Sequence, residues 1–91
     1  MSVDKMKGCV EATLNLADAI EKLNVGLFGV KVIDNKIKEF REKCNISDTS
    51  EIERLIKEGI SAVEHKEYAR EYLRTAKELA LVDGLIALRR I

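Results

Sequence analysis

Residues 50–90 read SEIERLIKEGISAVEHKEYAREYLRTAKELALVDGLIALRR, a stretch with no proline that is either one long helix or two. Its apolar residues decide between them. Ile52, Leu55, Ile56, Gly59, Ile60 and Val63 recur at steps of three and four, marking one face of a helix. Carried on at heptad spacing, that stripe lands on Lys66, Arg70 and Lys77, whereas apolar residues resume at Ala69, Tyr72, Ala76 and Leu79. The offset is one residue, roughly 100° of rotation. A straight helix cannot turn its buried face by that much, so the chain is expected to break near Glu64-His65-Lys66-Glu67. One long kinked helix is the alternative.

Before this stretch the pattern predicts two more helices. Met6, Cys9, Val10, Thr13, Leu16, Ala17, Ile20 and Leu23 line one face of residues 3–24, and Gly26 supplies a stop. Val30, Ile33, Ile37, Phe40 and Cys44 line residues 30–44, with Asn45 able to end that helix. Ser50 and Glu53 have the spacing of a capping box, and acidic residues in the first turn suit the helix dipole. The expectation is therefore all-α: helices over 3–24, 30–44, 50–64 and 67–90 in an up-down four-helix bundle with short connections.

Composition agrees. The 91 residues are rich in Ala, Leu, Ile, Glu, Lys and Arg, which are helix formers, and 35% are charged. Sixteen basic residues balance sixteen acidic ones, which argues against a dedicated nucleic-acid binder or a polybasic membrane anchor. No apolar run spans a bilayer and the N-terminus lacks a signal-type core, so a cytoplasmic protein is expected. Abundant Lys and Glu with no glutamine point to a thermophilic source.

The last helix carries two oddities. On the heptad seam Ala69, Tyr72, Ala76, Leu79, Asp83, Ile86, the aspartate takes a core-facing place. There it reads as a polar registry residue, or alternatively as a carboxylate facing a ligand or metal. Beside the seam Ala76, Ala80 and Gly84 form a line of small residues that lets a second backbone approach closely, with Gly59 of the third helix as a candidate counterpart. Leu81, Leu85 and Leu88 lie on the opposite side, with Val82 and Ile86 at their border. A helix apolar on nearly every side is normally covered on every side, and three helices of this size cannot enclose it. The expected cover is a protein partner, either a second copy of the chain or another protein.

Other chemistry is thinly represented. Cys9 and Cys44 are symmetric about the 25–29 turn, so a hairpin would bring them level. Cytosolic thiols normally stay reduced, which makes buried free thiols the expectation and a bridge the alternative. There is no CxxC, His65 is the sole histidine and sits in a polar turn, and no nucleophile–base pair or phosphate-binding loop is present. No enzyme activity, cofactor or metal is expected. Gly26-Leu27-Phe28-Gly29 superficially matches an RNA-binding loop but lacks its setting, and reads better as a plug at the core's end. Residues 31–44 carry five positive and three negative charges, so Lys31, Lys36, Lys38 and Arg41 are the residues a secondary nucleic-acid role would use.

Residues 67–88, EYAREYLRTAKELALVDGLIAL, resemble the C-terminal helix of a family of small archaeal helical-bundle proteins of unknown function. In that family an acidic–Tyr pair begins the helix and an aliphatic–Asp–small group follows about fifteen residues later; Glu67-Tyr68 and Val82-Asp83-Gly84 stand at those places. The resemblance spans about a quarter of the chain, without the family's preceding glycine or its aromatic-rich segment. It implies a helical bundle and no particular activity.

Overall fold

The computed structural model describes residues 3–24, 30–62 and 66–91. Four helices account for most of them: α1 (Val3–Asn24), α2 (Val30–Cys44), α3 (Ser50–Ser61) and α4 (Lys66–Leu88). The protein is an all-α bundle. α3 closes at its C-cap Ala62, where the backbone leaves helical geometry (ψ 17°), and packs back on α4, so the two are separate helices and the third is shorter than its pattern predicts. Gly26, Leu27, Phe28, Gly29, Val63 and His65 lie outside the described residues.

The long helices α1 and α4 pack antiparallel at the centre. Gly84 meets Thr13 near one end, and Lys77 Nζ lies 3.3 Å from Glu21 Oε2 further along. α2 packs on α1 and α3 on α4, while α2 touches α4 only lightly and makes no comparable contact with α3. The result is elongated, with Cα extents of 46 × 19 × 16 Å. Contacts run in the order α2, α1, α4, α3, and the two short helices α2 and α3 make no comparable contact with each other.

Each buried stripe follows from that order. α1 buries Cys9, Ala12, Leu16 and Ala19 along with Thr13, Ala17 and Ile20. Thr13 and Glu21 mark the side toward α4, so Ala12 and Ala19, more than a quarter-turn away, lie toward α2. α2 buries Ile33, Ile37, Phe40 and Cys44, as its periodicity predicts. It ends at Asn45, which takes the left-handed backbone (φ 54°), with the Ile46 N–H reaching back to the Arg41 carbonyl at 3.0 Å. This six-to-one closure satisfies carbonyls the helix end would leave bare, and Ile46 tucks against the core.

Two expectations are corrected here. The capping box does not form: α3 starts one residue after Thr49, and the Ser50 N–H is taken at 3.0 Å by Asp48 Oδ1. A short acidic side chain one position earlier satisfies the same amide without reaching across a turn. The cysteines are also joined, with a Cys9–Cys44 bridge at Cα–Cα 4.6 Å, rather than free thiols. Symmetry about the connection had put both at one height, and both helix faces turn inward there. Thr13 sits against this bridge: its hydroxyl donates to the Cys9 carbonyl at 2.8 Å and lies 3.5 Å from Cys44 Sγ.

The seam of α4 is corrected as well. The buried line is Ala69, Leu73, Ala76, Ala80, Gly84 and Ala87, rotated from the expected seam. Closest approach selects the smallest residues, so the line of alanines and glycine faces inward and the bulkier Leu79 moves to the edge. Gly59 and Gly84 are not counterparts. A Cβ on Gly59 would fall 2.8 Å from Leu73 Cγ of α4, whereas Gly84 serves the α1 interface.

Candidate interaction surface

With the small residues turned inward, the outer side of α4 is left apolar. Leu85 is 65% exposed, and Val82 and Ile86 are about half exposed. Leu81 and Leu88 are half-buried, and Leu88 packs on the edge of the core. The five residues therefore divide: Val82, Leu85 and Ile86 form the open surface, and Leu81 and Leu88 its floor toward α1. Ile86, expected on the heptad seam as well as at the border of the leucines, lies outside the core because the seam itself is displaced.

α1 adds residues that the sequence pattern on α4 alone did not indicate. Leu14 is 56% exposed, and Val10 and Val3 are also open. The Glu21–Lys77 ion pair marks one flank of the α1–α4 interface. Leu14 lies seven residues before Glu21 and Val10 eleven before it; Leu81 and Leu88 lie four and eleven after Lys77. Helical spacing keeps all of them on that flank, and the antiparallel register brings them side by side. Leu14 and Val10 thus border the leucines of α4. The available signal was an apolar pair four residues apart at the edge of a charged face.

Asp83 stands half-buried at the rim rather than in the seam. Desolvation, and after it the negative charge of Asp48, hold its carboxyl above the ordinary aspartate range. Asp48 moves the other way, its carboxyl lowered by hydrogen bonds from Ser50. Among the described residues no group of three His, Cys, Asp or Glu is placed to hold a metal ion. No helix among them is long and apolar enough to cross a membrane.

The basic residues of α2 do not converge. About the buried line of Ile33, Ile37, Phe40 and Cys44, helical phase puts Lys36 on one flank and Arg41 on the other. Lys31 and Lys38 stand between them on the outer face. Lys36 approaches Glu39 at 4.0 Å, and Arg41 donates to the Ser47 carbonyl at 3.2 Å, tying the turn after α2. Acidic Asp34, Glu39 and Glu42 are interleaved with them. This is a mixed, solvated face rather than a stripe that tracks a phosphate backbone.

No protein-family model, curated protein or solved structure matches the chain. The likeness of residues 67–88 to the archaeal bundle family therefore rests on those residues alone.

Proposed function

We propose that this chain is a non-enzymatic helical protein that acts by protein–protein contact, as a homodimer or as a small subunit of a larger assembly. The contact is made by the last three turns of α4 and the adjoining edge of α1. The observation carrying this reading is Leu85, an aliphatic side chain 65% exposed among Val82, Ile86 and Leu14, which are also open. Scattered surface leucines need no explanation, but a contiguous run along two neighbouring helices is the kind of patch that marks an interaction site. Its area is apolar and its border charged, the usual anatomy of an interface.

A cytoplasmic setting in a thermophilic archaeal cell fits the same reading. Intracellular proteins of hyperthermophiles are an exception to the rule that cytosolic cysteines stay reduced, and Cys9–Cys44 is bridged. Lysine and glutamate without glutamine agree with that source.

Affinity purification from the native cell, run in parallel with the wild-type chain and with Leu85→Lys as bait, tests the reading. Proteins recovered by the first bait and lost from the second are expected. Identical sets from both baits, with the chain monomeric by light scattering, would refute it.

A further inference from the structure

We propose that the occupant of this surface is a second copy of the chain, packed antiparallel along α4 about a two-fold axis midway between residues 83 and 84. This deepens the contact reading and rests on it. At roughly 100° per residue, Glu78, Val82 and Leu85 fall within about 60° of one another, on the side of α4 away from its buried alanines, and Arg89 follows in the turn that closes the helix, its N–H bonded to the Ile86 carbonyl at 3.2 Å. The stripe thus carries an acid at one end, two open aliphatic residues in the middle and a base at the other end. Glu78 and Arg89 are both exposed, and among the described residues neither has an ion-pair partner.

Such a stripe is complementary to its own reverse. A two-fold axis at its centre lays Val82 on Leu85 of the second copy, with Leu81 and Ile86 on opposite flanks of that contact. The same axis sets Glu78 opposite Arg89 at both ends. One patch meeting itself is what a two-fold interface requires. A parallel arrangement would instead set Glu78 on Glu78 and Arg89 on Arg89, so the charges select the antiparallel one.

Residues 77–88 span about 18 Å of helix, a narrow strip by itself. Leu14 and Val10 widen it toward α1. An interface of standard size, about 800 Å² per partner, would take roughly an eighth of the chain's 6256 Å² surface. The elongated shape offers that area along its long side.

Sedimentation equilibrium of the full chain tests the arrangement. The wild type is expected to dimerise, and Leu85→Lys to be a folded monomer by circular dichroism. Glu78→Arg and Arg89→Glu should each weaken dimerisation by about tenfold, because each turns two facing pairs from attractive to repulsive. The double variant E78R/R89E should return to wild-type strength. A dimer indifferent to both single reversals overturns the antiparallel register. A chain still monomeric at several hundred micromolar overturns self-association altogether. In that case the bait comparison above decides the broader reading separately: partners lost with Leu85→Lys leave it standing without the dimer, and unchanged partners remove both.

Discussion

Gly84 is pressed against Thr13 so closely that a β-carbon added there would lie 3.0 Å from Thr13 Cβ and nearer still to its γ atoms. Glycine inside a helix costs about 1 kcal/mol relative to alanine, so on propensity alone Gly84→Ala should stabilise α4. The crowding outweighs this, since Thr13 is buried and its rotamer is held by its own hydrogen bond to the Cys9 carbonyl. Gly84→Ala is expected to lower stability by about 1–3 kcal/mol in denaturant unfolding. Adding Thr13→Ala, which removes the γ atoms, should recover part of the loss.

The Cys9–Cys44 bridge closes a loop of sequence separation 35. By loop entropy such a link contributes about 4 kcal/mol, which in a domain of this size moves the melting midpoint by about 15–30 °C. The double variant C9A/C44A should melt lower by that order. With both sulfurs buried, thiols generated by reduction should label slowly until the chain unfolds, which a timed thiol-reagent assay reads.

Thr49, at the N-cap of α3, is 4% exposed, and its hydroxyl oxygen has no hydrogen-bond partner. It makes no capping bond, and the Ser50 N–H beside it is taken by Asp48 Oδ1. Because an unpaired buried hydroxyl is a cost, Thr49→Val, which keeps the shape, should raise stability by about 1 kcal/mol. Thr49→Asp should lower it by burying a charge.

Asp83 and Asp48 predict opposite acid responses. The folded-state pKa of Asp83 is raised, so its ionised form costs stability at neutral pH, and the cost disappears as pH falls through the raised value toward 3.8. Asp48 is lowered, so its contribution is present above the ordinary value and is lost as pH falls through the depressed one. Asp83→Asn should therefore melt above the wild type at pH 7, with the difference closing toward pH 3. A constant difference across that range would mean that the carboxyl's charge is not what costs stability.

Much of this architecture is legible in the residues. Ile33, Ile37, Phe40 and Cys44 repeat so regularly that α2 has one buried face, and Asn45 ends it by the backbone conformation asparagine tolerates. The face of α4 is harder, because that helix is apolar nearly all round and offers two candidate seams. Ranking by hydrophobicity favours Leu79 and Ile86, whereas close packing against α1 favours Ala76, Ala80 and Gly84. Nothing in periodicity alone weighs one against the other. The bridge was legible in position but not in oxidation state, which depends on the cell compartment as much as on the fold. Leu14 escapes notice because its partners in the surface are on a helix some seventy residues away.

The sulfur link also governs how the polypeptide comes apart. A backbone cut anywhere between residues 9 and 44 leaves both pieces tied together, so the nicked molecule migrates whole until a reductant is added. A cut between α3 and α4 releases a C-terminal fragment that no covalent tie retains. One gel run with and without reductant would thus tell which connection a protease has opened.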